Sequence, residues 1–169
     1  MAKGKDYRLK VLYEIREKEK KKAEDIYAER QQEVAREKKQ LEEMRGRLRD
    51  MVQHREDRKA QYNEAMRSGQ LNIDSIQSND RHIERLKQEE AAYQVEITRQ
   101  QEVLQDAQSR ADEARDDMLK ATQDFKALEK HKEKWEKQVR KEIQAKEEEQ
   151  AEDIAQAQYF QRLKSQRKS

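Results

Sequence analysis

A heptad pattern of apolar residues runs without a break from Ile76 to Val139. Steps of alternately three and four residues define 19 positions in this stretch, and 15 of them are apolar, whereas the residues between them are mostly charged or amide. Such spacing places the apolar residues in one narrow seam along a helix, which is typical of a coiled coil. The pattern therefore predicts a long supercoiled helix that needs a partner. The seam positions are Ile76, Asn79, Ile83, Leu86, Glu90, Tyr93, Ile97, Gln100, Leu104, Ala107, Ala111, Ala114, Met118, Ala121, Phe125, Leu128, Lys132, Trp135 and Val139.

A shorter heptad pattern precedes this one, from Val34 to Ala65, with seven apolar residues in ten positions. The main interruption between the two patterns is at residues 68–72, where Gly69 suits the left-handed end of one helix and Asn72 suits the N-cap of the next. Asp6 suits the N-cap of the first helix. We predict helix 1 at about residues 6–68, a loop at about 69–72 and helix 2 at about 73–165.

A loop this short makes the two helices antiparallel neighbours. If the turn is centred at about position 70.5, residue i faces roughly residue 141 − i. Arg55 then comes near Glu90, and the small side chains at Ala107, Ala111 and Ala114 face larger ones. The predicted fold is all-α: a long two-helix antiparallel coiled-coil hairpin whose second helix is longer than the first, forming a single elongated domain over residues 1–169.

Helix 2 is predicted to extend beyond the start of helix 1. In this register Asp6 faces Trp135, and a rise of 1.5 Å per residue leaves an overhang of about 45 Å. The overhang carries apolar residues that an isolated polar helix would not need, and the first turns of helix 1 are more apolar than one seam requires. Two interpretations follow: the tail packs on the N-terminus, or this end of the hairpin binds a partner. We favour the second.

Composition narrows the class of protein. Charged residues make up 45% of the chain and hydrophobic residues 33%, which is too few apolar side chains for a globular core of 169 residues. The net charge of +2 argues against a nucleic-acid binder that relies on a strongly basic surface. The absence of cysteine excludes disulfides and thiolate chemistry and fits a cytosolic protein. We see no signal peptide and no apolar run that approaches the roughly 20 residues of a membrane span.

No pattern in the sequence predicts catalysis. His54, His82 and His131 lack the spacing of metal ligands, and there is no phosphate-binding glycine loop or nucleophile elbow. The carboxylates at 147–149 lie on an exposed helix and are expected to be solvated. We predict a protein that is not an enzyme and that has no metal or cofactor. A basic end remains, which is either a solvated tail or a contact for anionic lipid or nucleic acid: Arg162, Lys164, Arg167 and Lys168.

Several stretches resemble one known family. They are residues 128–135 (LEKHKEKW), 147–155 (EEEQAEDIA), 7–12 (YRLKVL), 69–74 (GQLNID) and 82–86 (HIERL). Together they are similar to the FliJ/YscO (SctO) family of type III secretion stalk proteins, and the layout of the whole chain matches. Trp135 resembles the injectisome members more than the flagellar ones.

This resemblance implies a specific role. Family members are two-helix antiparallel coiled coils similar to the central shaft of the F-type ATP synthase. Their terminal end sits in the pore of the hexameric secretion ATPase, their hairpin tip reaches towards the cytoplasmic domain of the export gate, and they handle secretion chaperones. The residues expected to bind the ATPase are Leu9, Leu12, Ile15, Ile143, Ile154, Phe160 and Leu163. Those expected to bind the export gate are Tyr62, His82, Leu86 and Tyr93.

We therefore expect a cytoplasmic monomer, peripheral at the inner-membrane secretion apparatus, that couples the ATPase to the gate without binding nucleic acid. One alternative is a homo-oligomeric structural coiled-coil scaffold, although charged residues in the seam would be unfavourable in a long symmetric dimer. Another is an RNA-associated or ribosome-associated hairpin, against which the near-neutral charge and the lack of an aromatic platform count.

Overall fold

The computed structural model describes residues 6–167 and contains two α-helices in that range, with no strand. Helix α1 spans Lys10–Arg67, 58 residues, and helix α2 spans Ile73–Gln166, 94 residues. The predicted all-α fold is confirmed, as is the greater length of the second helix.

The connection between the helices uses the predicted capping residues. Gly69 has a φ of 69°, in the left-handed region, and its N–H donates to the carbonyl of Met66 while the N–H of Gln70 donates to that of Ala65. Asn72 caps α2, because its side-chain oxygen accepts a hydrogen bond of 2.8 Å from the backbone N–H of Ser75. These contacts satisfy groups that helix ends leave unpaired. The loop occupies residues 68–72.

The start of α1 differs from the prediction. Asp6 is not its N-cap: the helix begins at Lys10, whose N–H donates to the carbonyl of Tyr7, and the next bond runs from Tyr13 N–H to the carbonyl of Leu9. Tyr7 is buried. Burial of this large ring holds the chain in a turn before the helix starts, and this is a tertiary contact that the local sequence does not reveal.

Contacts divide the chain into two units. The loop unit comprises residues 23–118, and the terminal unit comprises residues 1–22 and 119–169, of which the structure describes residues 6–22 and 119–167. The prediction of a single domain stays a prediction. In both units the seam of α2 lies where the heptad pattern puts it, since all 19 seam positions are buried or half-buried.

The loop unit is an antiparallel pair of helices. Leu41, Ile97 and Ala107 are among its buried apolar residues. Its polar contacts report the register: Gln100 donates to Glu37 at 2.6 Å, and Arg110 donates to Glu33 at 2.8 Å. Each partner lies within about one helical turn of the position that the predicted register gives. The pKa of the Glu33 carboxyl is lowered, mainly by the hydrogen bond from Arg30 and further by the charge of Arg110. Partial burial of the carboxyl opposes this shift.

The ion pair between Arg55 and Glu90 confirms the pairing predicted from the sequence. Arg55 Nε donates to a Glu90 oxygen at 2.8 Å, and both side chains are mostly covered. The hydrogen bond to Glu90 raises the pKa of Arg55, although partial burial of the guanidinium lowers it. The pair places opposite charges on neighbouring seam positions of the two helices, where two apolar residues would otherwise be expected.

Reversing this pair tests the register. Glu90→Arg places two positive charges in the seam and is expected to lower the thermal unfolding midpoint by a few degrees, because a half-buried guanidinium then loses its partner. The double variant Arg55→Glu with Glu90→Arg should recover most of that loss, as circular dichroism would show. A double variant no more stable than Glu90→Arg would contradict direct pairing.

The terminal unit is held by aromatic contacts. The rings of Tyr7 and Trp135 lie 5.1 Å apart between centroids, and those of Tyr13 and Phe125 lie 5.0 Å apart. The Tyr7 hydroxyl is also hydrogen-bonded to His131 Nδ1 at 2.8 Å. Burial raises the pKa of the Tyr13 phenol, and nearby glutamates add to the shift. Residues 7–13 are thereby fixed against the α2 segment that carries Trp135.

Candidate partner-binding surfaces

The last part of α2 is a helix with no packed face. We call residues 143–167 the tail; each of them is exposed. Ile154 and Phe160 are 59% and 60% exposed, and the neighbouring Tyr159 ring contacts Phe160 edge-on with the centroids 6.1 Å apart. Large apolar side chains are therefore open to solvent on this charged helix, as the predicted partner contact would require.

The apolar residues of the tail do not share one face. At about 100° per residue, Leu163 lies about 180° around the helix from Ile154, and Phe160 lies between them on one side. A flat partner surface would cover only one of these directions. An arrangement of this kind suits a partner that surrounds the helix.

The seven residues predicted to bind the ATPase all belong to the terminal unit. Leu9 is half-buried and lines a groove of about 460 Å³ with Trp135 and Val139. Leu12 and Ile15 on α1 and Ile143 on α2 are exposed. Ile154, Phe160 and Leu163 lie in the exposed tail.

The predicted tail residues lie far from the groove at Leu9. Ile154 lies 15 residues beyond Val139 in α2, or about 22 Å along the helix. The structure therefore does not pack the far part of the tail on residues 6–22. The predicted residues do not form one continuous patch.

The four residues predicted to bind the export gate lie in the loop unit and are half-buried. Tyr62 and His82 line a common pocket near the loop, whereas Leu86 and Tyr93 are seam residues, with Arg47 placed 5.5 Å above the Tyr93 ring. The pKa of the Tyr62 phenol is raised, mainly by burial and to a smaller extent by a hydrogen bond to the Asp80 carboxylate. Much of each side chain is occupied by packing between the helices.

Other exposed apolar residues lie outside the two sets of residues predicted to bind partners. Ile73, the first residue of α2, is 74% exposed, and Met66 in the last turn of α1 is also exposed. Val11 and Tyr159 are exposed in the terminal unit. Ile73 and Met66 lie off the heptad positions, and that is the signal that could have found them: an apolar residue outside the seam has no partner in a two-helix pair.

Within residues 6–167, no group of three or more histidine, aspartate or glutamate side chains could hold a metal ion. Neither helix, over the part of the chain described, has a stretch long and apolar enough to cross a bilayer. Lys168 of the predicted basic end lies outside the described residues.

Comparison with known proteins identifies the family. The sequence matches the YscO-like protein family over residues 4–167. Among solved structures the chain is similar to CT670 from Chlamydia trachomatis, a candidate YscO homolog, with a TM-score of 0.73 and 20% identity over 90% of this chain and 94% of that one. That likeness reflects the fold. No curated protein matches the sequence. The family match covers almost the whole chain, so this protein belongs to the YscO-like family and is related to type III secretion.

Proposed function

We propose that this protein is the non-enzymatic central stalk of a type III secretion system, in an injectisome or a flagellum. In this role the terminal unit inserts into the pore of the hexameric export ATPase, and the loop end of the hairpin contacts the cytoplasmic domain of the export gate. The protein works in the cytoplasm at the inner-membrane apparatus, as a monomer, and handles secretion chaperones.

The observation that carries the proposal is the tail. Helix α2 continues to Gln166, well beyond the contact of Trp135 with the Tyr7 ring, and the apolar side chains of the tail point to different sides. A ring-shaped ATPase with an axial pore offers contacts all around an inserted helix. Family membership supports the secretion context, and exposure of the tail supports the choice of this end.

The gate contact is the second part of the proposal. Tyr62 and His82 lie near the loop, and the exposed Met66 and Ile73 add apolar surface at the same end of the loop unit. An export-gate domain that binds this end would bury apolar side chains that the packing of α1 against α2 leaves exposed.

Mass measurement tests the proposal directly. Light scattering coupled to size exclusion is expected to give a monomer of 20.4 kDa. With a secretion ATPase and nucleotide present, the protein should elute with the ATPase oligomer. A stable dimer that ignores the ATPase would reject the stalk and favour the homo-oligomeric scaffold.

A further inference from the structure

A small pocket lies between the helices of the loop unit, near the connection. Its volume is about 170 Å³, and its lining includes Arg58, Gln61, Tyr62, Asn79 and His82. The volume corresponds to about six water molecules at ~30 Å³ each, so the pocket has room for the head of one side chain. A nucleotide or a folded segment would not fit.

The pocket is rich in hydrogen-bond donors and has no acidic residue in its lining. The guanidinium of Arg58 supplies a full positive charge, and the amides of Gln61 and Asn79 supply further N–H groups. The Tyr62 hydroxyl is engaged by Asp80. The lining therefore favours a negatively charged group.

Two seam arginines in the loop unit behave differently. Arg55 is neutralised by Glu90 and is largely covered. Arg58, one turn further along, is exposed, and its guanidinium donates a bond of 3.5 Å to the side-chain oxygen of Gln61, which is long for a hydrogen bond. The facing seam position is the apolar Ile83, which provides no countercharge. Arg58 thus holds a positive charge at the pocket.

His82 gives independent evidence that the pocket is incomplete. Its Nε2 atom is buried and has no hydrogen-bond partner among the described residues. Leaving a buried polar atom without a partner is unfavourable. In one neutral tautomer, and in the imidazolium, Nε2 carries a proton that an incoming acceptor would bind.

We propose that this pocket receives a single carboxylate side chain, aspartate or glutamate, from a partner protein. The carboxylate accepts a hydrogen bond from the Arg58 guanidinium and, once a rotation of the His82 side chain opens the buried Nε2–H to the pocket, a second one from that group, so that one negative charge meets one arginine. Phosphate is a poorer match, because phosphate sites gather several positive charges or use a helix N-terminus. The chemistry of the pocket stands by itself; assigning the carboxylate to the export gate rests on the proposed function.

Acetate is the probe for the pocket. The isotope-labelled full chain is titrated with sodium acetate against sodium chloride, at constant pH and ionic strength, while NMR follows the imidazole signals of His82. We expect a saturable shift with acetate that chloride does not reproduce. The shift should disappear in Arg58→Gln and persist in Arg49→Gln, which removes the same charge from an exposed position in the same unit.

A lack of saturation, or an equal response in Arg58→Gln, would overturn the carboxylate pocket. So would phosphate binding more tightly than acetate.

The export-gate domain provides the second arm. Arg58→Gln is expected to weaken its binding to the full chain about tenfold through loss of a charge-assisted hydrogen bond, whereas Arg49→Gln should not. Saturable acetate binding with unchanged gate affinity would keep the pocket and reject the gate as the source of the carboxylate. Absence of any binding between wild-type chain and gate would instead reject that part of the proposed function.

Discussion

Replacing Ile154 and Phe160 together with aspartate is expected to abolish binding to the export ATPase and to leave the helical content unchanged. Each apolar side chain would contribute about 1.5–3 kcal/mol if fully buried by the partner. Two carboxylates placed in the same contact add an unfavourable desolvation. A loss of at least about 3 kcal/mol corresponds to more than a hundredfold in affinity. Calorimetry measures binding, and circular dichroism measures helicity.

A matched control separates the loss of apolar contacts from the added charge. Gln150→Asp with Gln158→Asp adds the same two charges to exposed positions of the tail. This control should keep most of the affinity, because it removes no large apolar side chain. Binding by the Ile154/Phe160 variant as tight as that of wild type would remove the tail from the ATPase contact.

Phe125→Ala is expected to destabilise the terminal unit more than any surface change. Phe125 is 5% exposed and packs on the Tyr13 ring, and Lys20 Nζ lies 5.2 Å from the centroid of the Phe125 ring. Truncating a buried phenylalanine costs about 3–5 kcal/mol, since the lost burial is joined by an unfilled cavity. A pair of helices can collapse around the gap, so about 3 kcal/mol is the expected loss. Native-state hydrogen exchange of residues 10–22 and 119–139 would measure it locally.

Leu119→Ala serves as its control. Leu119 belongs to the same unit but is 45% exposed, so its truncation should lower protection much less than that of Phe125. Local measurement matters because a chain with two units need not unfold in one step. Equal losses in the two variants would show that burial at position 125 does not hold the unit together.

The helices and their register were predictable because they depend on patterns that repeat. A period of 3.5 residues held over nine heptads allows few alternatives for the seam. Gly69 and Asn72 were predictable as capping residues because the conformational preferences of glycine and asparagine are local. Once the loop was located, the antiparallel register followed from chain geometry. The pairing of Arg55 with Glu90 came from that register alone.

The contacts that the sequence did not reveal are those that depend on single three-dimensional arrangements. The turn at Tyr7 depends on a ring packing against residues more than a hundred positions away, and no periodicity encodes it. The pocket beside Arg58 depends on a gap between side chains of two helices. The sequence suggested His82 as a contact residue, but not that its Nε2 would be buried without a partner.

The exposed apolar surfaces were predicted only in part, because a side chain's exposure depends on which residues the packing of the two helices leaves uncovered. The tail residues follow from the unequal helix lengths, which the loop position determines. Exposure of Ile73 and Met66 depends on how the helix ends turn at the loop. In a sequence with so many charged residues, a single off-seam apolar side chain is easily overlooked.

The short loop also sets the order in which the chain can fold. Contacts across the pair join residues 35 positions apart at Arg55 and Glu90, 63 apart at Glu37 and Gln100, and 124 apart at Tyr7 and His131. Closing a larger loop costs more chain entropy. When pairing starts at the turn, each contact that forms shortens the loop that the next contact has to close. Folding is therefore expected to zip from Gly69 outward, and the chain contains no proline to add a slow isomerisation step. The Tyr7 contacts are therefore expected to form last and open first, so that fraying should begin at the end proposed to enter the ATPase.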